Sequence, residues 1–378
     1  MLPTFELDYA NPASATHWMG QRAHDLIEAA RSQIATAIHA ASSRDIIFTS
    51  GATESNNLAF RGLAERRHSG HIISVATEHP SVISPLEKLG RQGFRITFLP
   101  VRPAGHRLAG TLDLDQLRDA ICDDTFLCSV MLANNEIGTI QSLESIADVC
   151  REHGIRLHTD ATQGVGKLFI DVQNPPVDLM SFSAHKIYGP KGVGALYVRR
   201  TGDKPVRLIS QIDGGKQELG LRGGTSNVPG IVGFAAALAL SLENLPDEQI
   251  RLARLRNQLH QRLCDDLGEV PVNGPELDIP DPEFGTGNRK WVRLPGNLNC
   301  QFPGLDGHTL MVRAPEVCLS SGSACTATNS EPSHVLRSLG LDDDRVRCSI
   351  RFGLGRFNTA EDIARAAEML IAAAKSLK

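Results

Sequence analysis

The sequence predicts an α/β fold: a mostly parallel seven-stranded sheet flanked by helices, with a smaller α+β domain. Three observations predict it. Seven short β-branched runs alternate with longer helical patterns between residues 46 and 200. Such alternation builds a parallel sheet with helices on both faces. Beyond residue 267 the pattern shifts to shorter elements and Pro-, Gly- and Asp-rich sequence.

The seven runs are 46–49, 71–75, 95–99, 126–131, 155–160, 179–183 and 194–199. Each is rich in Ile, Val, Leu, Phe or Thr, as a strand buried on both faces requires. Residues 142–153 carry a helical pattern that Gly154 stops. Two long helices are predicted over 229–242 and 247–267. Residues 271–293 read as an exposed insertion. A strand at 297–302, an irregular Ser/Gly stretch at 319–330, a helix at 332–339, a strand at 346–352 and a helix from Thr359 complete the chain. The larger domain is placed at 11–243, and the smaller at 1–10 and 244–378.

Hydrophobic residues make up 41% of the chain and charged residues 22%, with a net charge of −4. This balance gives no polybasic surface for nucleic acid or membrane. The richest apolar stretch, 230–242, is too short to span a bilayer. The N-terminus lacks the basic start and apolar core of a signal peptide, so a cytoplasmic location is expected. Eight cysteines are scattered without a CxxC pair. No structural zinc, no disulfide framework and no metal site are expected.

Lys186 follows an apolar run and precedes a glycine-rich turn, with Ser183 and His185 beside it. Its amine could bond an aldehyde cofactor while its neighbours donate to a phosphate. Pyridoxal phosphate is such a cofactor, and the chain offers the other parts it needs. Gly51, Ala52 and Thr53 stand where a strand turns into a helix, a favourable place for phosphate. His79 ends a strand and could stack on the pyridine ring. Asp160 ends another and could keep the ring nitrogen protonated, which makes the ring an electron sink. Gln163 could reach the phenolic oxygen. Each residue also has a plainer reading, such as a helix cap or a polar core group. Cys325 sits in the small polar stretch 319–333, where nothing packs it as a core residue. It is a candidate nucleophile.

These residues lie in FTSGATESNN, ATEHPSV, NNEIG, HTDATQGVGK, SFSAHKIYGPKGVGALYVRR, LRGGTSNV, RLPGNLN, SSGSACT, EPSHVLR and SIRFGLGRF. In these segments the chain resembles the cysteine desulfurases of the NifS/IscS kind, which are fold-type-I pyridoxal-phosphate enzymes. The resemblance implies that Lys186 holds the cofactor and that Thr53, Ser183 and His185 bind its phosphate. Thr225 would reach in from a second subunit of a homodimer. His79 would stack on the ring and shuttle protons, Asp160 would pair with its nitrogen, and Gln163 would contact its oxygen. Asn135 and Arg351 would hold the carboxylate of L-cysteine, and Cys325 would take its sulfur as a persulfide. L-Alanine would leave, and the sulfur would pass to an acceptor protein such as an iron–sulfur scaffold.

The chain departs from the family in several places. The resemblance implies a longer N-terminal segment over the site and, in one branch, a C-terminal tail that docks the scaffold. Residues 275–290 form an insertion, and Leu219 and Gly223 replace a common Arg and Ser. Three other readings fit a pyridoxal enzyme: a selenocysteine lyase, a cystine C–S lyase or an aminotransferase. A fourth is a scaffold without activity. Cys325 separates the aminotransferase, which has no use for such a thiol. Lys186 and Asp160 together argue against the inert scaffold.

Overall fold

In the computed structural model, residues 1–202, 204–277, 291–321 and 332–377 are described. Seven strands form one sheet: β1 Ile46–Thr49, β2 His71–Val75, β3 Arg95–Leu99, β4 Thr125–Ser129, β5 Arg156–Asp160, β6 Leu179–Ser183 and β7 Gly194–Val198. Their order is β1-β7-β6-β5-β4-β2-β3. The pairs β2–β4, β4–β5 and β5–β6 are parallel. β7 runs antiparallel to both β6 and β1. Two reversals restore direction, so β1 runs the same way as β6.

The strands β2, β4, β6 and β7 are buried at every position. That burial on both faces explains their continuous apolar runs. On one side Ile47, Phe60, Ile72, Leu86 and Leu127 form a core between sheet and helices. The helix Val228–Leu242 begins at Asn227, whose side chain accepts from the Gly230 amide. It buries Ile231, Phe234 and Leu238. A further helix, Trp18–Ala37, is capped by the His17 ring, which accepts from the Gly20 amide. The sequence reading missed this helix, because its cap is a histidine and its apolar face is mostly alanine.

The chain divides into two compact units. The first holds Met1–Phe98, Leu114–Leu132 and Ser142–Leu245. The second holds Leu99–Asp113, Ala133–Gln141 and Pro246–Lys378. The division after 245 lies close to the expected boundary at 243. Residues 1–10, expected in the smaller domain, cluster with the first unit: the helix Pro3–Glu6 packs on Val228–Leu242, and Asp8 pairs with Arg22. Residues 99–113 and 133–141, expected in the larger domain, cluster with the second. Backbone hydrogen bonds from Ile140 to Val292 and from Leu294 to Gly138 account for the latter segment.

The second unit contains β8 Asn297–Gln301, β9 Ser320–Ser321 and β10 Ser349–Gly353 in the antiparallel order β8-β10-β9. Its core includes Leu259, Leu263, Leu298, Ile350 and Leu370. Two expectations are corrected here. The strand predicted from 346 starts at Ser349, because Asp342 caps the helix Asp343–Arg347 by accepting from the Arg345 amide. The expected exposed insertion at 271–293 has described flanks that are partly buried, although Glu276 is exposed. Asn273, Val292 and Arg293 are each almost wholly buried. The Arg293 guanidinium donates to the carbonyls of Asn273 and Pro275 and to Asn297 Oδ1. Burial, followed by the charge of Arg256, pushes its pKa down to about 9.

One buried ion pair ties three segments of the first unit together. Arg31, on Trp18–Ala37, donates to both carboxylate oxygens of Glu218 at 2.7 and 2.9 Å. It also donates to the Ile46 carbonyl, and Glu218 accepts from the Phe48 amide. Glu218 and Leu219 are held at φ +46° and +59°, in left-handed conformations that non-glycine residues rarely adopt. Removing one partner strands the other charge in the interior. Arg31→Met is therefore expected to lower unfolding stability by about 3–5 kcal/mol, measured by urea denaturation followed by circular dichroism.

Candidate active site

Because β1, β2, β4, β5 and β6 share one direction, their carboxyl ends lie at one edge of the sheet. Open α/β sheets gather ligands at that edge. Thr49, Gly194 and Ser183 stand side by side there through the β1–β7–β6 pairing. Asp160 stands opposite Ser181 on the neighbouring strand. A Cβ on Gly194 would lie 2.6 Å from the Gly51 Cα. Only glycine lets the turn at Gly51 rest on the start of β7.

Lys186 lies on the 3-10 turn Ala184–Ile187, directly after β6, and is exposed. Tyr188 ends that turn at φ +66°. Ser183 Oγ and His185 Nδ1 are 2.8 Å apart. Desolvation, then the charges of Lys186 and Lys191, lower the His185 pKa. The turn after β1 opens the helix Ala52–Ala64, with Thr53 exposed in its first turn. Glu54 accepts from the Ser50 amide and from Arg222, which braces this entry.

Asp160 is buried but well satisfied. Its Oδ2 accepts from Asn56 Nδ2 at 2.9 Å and its Oδ1 from the Thr162 amide at 2.9 Å. Asn56 also donates to Ser81 Oγ at 3.0 Å. Ser81 Oγ lies 2.8 Å from His79 Nδ1, and the Ser81 amide donates to that nitrogen. Nδ1 of His79 is thus an acceptor, which leaves the ring proton on Nε2. His79 caps the helix Pro80–Arg91. Next to it, Glu78 is fully buried and accepts from the Met131 amide at 2.7 Å. Burial, then the Asp160 charge, raises its pKa well above the carboxylate range.

Gln163 is half-buried, and its Oε1 accepts from Lys167 at 2.9 Å. Thr225 is exposed on the loop that precedes Val228–Leu242. In the second unit, Arg351 on β10 donates to the Asn135 carbonyl at 3.3 Å. The Glu136 carbonyl accepts from the side chains of Asn297 and Asn299, which fixes this turn on β8. Glu136 Oε2 accepts from Ser333 at 2.6 Å. Burial raises its pKa to about 7 against the lowering effects of Ser333 and Arg351. Cys325 lies outside the described residues.

The structure therefore brings Thr53, His79, Asp160, Gln163, Ser183, His185 and Lys186 into the unit that carries the sheet edge. Asn135 and Arg351 meet in the other unit. Asn56, Ser81, Glu78, Lys167 and Glu136 were not singled out from sequence.

The donor set suits pyridoxal phosphate. Hydroxyls, an imidazole and a helix start can face a phosphate, an amine can bond the aldehyde, and a carboxylate can take a pyridinium N–H. Asp160 uses one hydrogen bond on each oxygen and keeps acceptor capacity for a third. Thr162 Oγ1, beside it, is buried without a hydrogen-bond partner among the described residues.

Residues 1–366 match the aminotransferase class-V family. A cysteine desulfurase IscS of Anaeromyxobacter sp. (strain Fw109-5) is 45% identical over 381 residues, covering 100% of this chain and 89% of the relative. The chain belongs to the class-V aminotransferases, among the cysteine desulfurases. A solved NifS-like protein superposes on this desulfurase with a TM-score of 0.86 at 33% identity, covering 98% of this chain and 93% of that one. The solved SspA in complex with cysteine superposes at 0.76 with 34% identity, covering 94% of each chain. The desulfurase is accordingly a pyridoxal-phosphate enzyme. No single helix among its described residues is long and apolar enough to cross a membrane.

Behind Asp160, His158 is fully buried between Ser129 Oγ at 2.8 Å and Ser181 Oγ at 3.1 Å. Burial lowers its pKa to about 4, despite the opposing pull of Asp160. The folded pKa lies below the unfolded value of about 6.5. Its stabilising effect is therefore complete above the unfolded value and lost as pH falls toward 4. This single group is expected to make the protein about 3 kcal/mol less stable at pH 4 than at pH 8. His158→Gln should flatten that dependence in urea melts at a series of pH values.

Proposed function

We propose that this desulfurase converts L-cysteine to L-alanine and collects the sulfur on Cys325 as a persulfide. The observation that carries the reading is the pairing of β5 with β6, which sets Asp160 and the segment bearing Lys186 at one sheet edge. Bound pyridoxal phosphate supplies electron withdrawal through its protonated ring. Asp160 keeps that proton in place. Ser183, His185 and Thr53 hold the phosphate, with Ala52 in the same helix start. Gln163 would reach the phenolic oxygen and His79 would stack on the ring.

Lys186 would bond the cofactor's aldehyde, and its amine is placed to carry the Cα proton of the substrate. Arg351 and Asn135 hold the substrate carboxylate, a role that the planar guanidinium suits. The Cys325 thiolate bonds to the substrate sulfur as the Cβ–S bond breaks, and the bonding pair stays on the carbon side. Protonation at Cβ then gives the methyl group of alanine. One cysteine and one thiol become one alanine and one persulfide.

The outer sulfur of the persulfide passes to an acceptor protein, for which an iron–sulfur scaffold is one candidate. A reducing compartment such as the cytoplasm suits that chemistry. The enzyme works as a homodimer in which Thr225 serves the partner's phosphate site. The exposed Leu2, Phe5, Leu7, Tyr9 and Trp18 in the first unit are surface that a second subunit would cover.

Cys325→Ala is expected to retain the bound cofactor's visible absorbance and to lose sulfide release from cysteine by at least about 100-fold. Sulfide assays with a thiol reductant check this. Unchanged release would remove the persulfide route.

A further inference from the structure

Lys167 stands at the end of the turn that follows β5. The amides of Gly164 and Val165 donate to the Ala161 carbonyl, and those of Lys167 and Leu168 to the Gly164 carbonyl. Gly166 sits at φ +70°, and a Cβ there would come within 2.7 Å of Ile187 Cγ2. That contact locks the turn against the segment carrying Lys186. A half-buried lysine that feels the charge of a second lysine is unfavourably placed unless an acceptor holds it. Gln163 Oε1 is such an acceptor, 2.9 Å from Lys167 Nζ.

We propose that Lys167 is a positioning residue: its ammonium holds the Gln163 carbonyl oxygen and so turns the Gln163 amide NH2 toward the phenolic oxygen of bound pyridoxal phosphate. The proposal rests on the reading that Gln163 faces that oxygen. An ammonium has only donors, whereas an amide offers a donor end and an acceptor end. With its oxygen engaged by Lys167, Gln163 has only its NH2 group left for the cofactor. Without Lys167 the amide can rotate and set its oxygen against the phenolic oxygen, which repels it. Burial, then the Lys186 charge, lowers the Lys167 pKa to about 8. This is consistent with a lysine packed into the site rather than extended into water.

The test reads the pH midpoint of the visible absorbance change of the bound cofactor in the purified holoenzyme. In the holoenzyme Lys186 is bonded to the cofactor, so the titratable groups near the readout are Lys167 itself, His185 on the turn that carries Lys186, and Asp160 at the ring nitrogen. A donor to the phenolic oxygen favours its ionised form, so losing that donor raises the midpoint. Gln163→Ala is expected to raise it by about one pH unit, the size of one hydrogen bond to a charged oxygen. Lys167→Met should raise it in the same direction, and should add nothing in the Gln163→Ala background. Lys167→Gln keeps a donor without the charge and should leave the midpoint within about 0.3 unit of the parent.

A shift in Gln163→Ala with none in Lys167→Met overturns the proposal. So does a Lys167→Met shift of equal size in both backgrounds, or a Lys167→Gln shift as large as that of Gln163→Ala, since either assigns the effect to charge alone. An unshifted Gln163→Ala defeats the underlying reading of Gln163, and the proposal with it.

Discussion

A carboxylate buried at the end of a strand is the constraint on which the site depends. Asp160 is almost wholly buried, and a charge in that position must be hydrogen-bonded to persist. Asn56, on the helix after β1, supplies one bond, and the Thr162 amide supplies another. Asn56 also reaches Ser81, which in turn engages His79 after β2. A single side chain thereby joins the segments that follow β1, β2 and β5. A polar network of this kind favours one arrangement, because any other leaves a buried group unpaired.

The electrostatics around Asp160 sort the neighbouring groups into roles. Glu78, fully buried beside it, is pushed toward its protonated form, first by burial and then by the charge of Asp160. His158, two residues upstream on β5, is kept neutral by burial and bridges two serines. Asp160 can remain the acceptor for a pyridinium while the groups around it carry little charge. The Lys186 charge acts on Lys167 in the same unit, and Gln163 accepts the hydrogen bond that Lys167 donates.

Much of this was legible in the sequence, and the reason is local. The strand runs at 46–49, 71–75 and 179–183 coincide with β1, β2 and β6 because strands buried on both faces leave an unbroken apolar signature; the run at 95–99 coincides with β3, an edge strand buried only at Leu99. Lys186, Asp160 and Gly51 were legible because each sits where such a run ends. What escaped depends on packing at long range. Residues 133–141 cluster with the second unit through hydrogen bonds to residues 292–299, which no local pattern reports. Arg293 looked like an exposed insertion residue, yet it is buried by binding the carbonyls of an irregular segment. The position of Asn56 within an ordinary helix gave no hint of its link to Asp160, 104 residues further along the chain.

The central claim is that the lysine following β6 binds the cofactor, served by the carboxylate at the end of β5. Lys167 is the informative rival, since it is a half-buried lysine with a lowered pKa in the same unit. Borohydride reduction of the holoenzyme, followed by proteolysis and mass spectrometry of the labelled peptide, decides between them. The account predicts a pyridoxyl group on Lys186 alone. A label on Lys167, or on any other lysine, would contradict it.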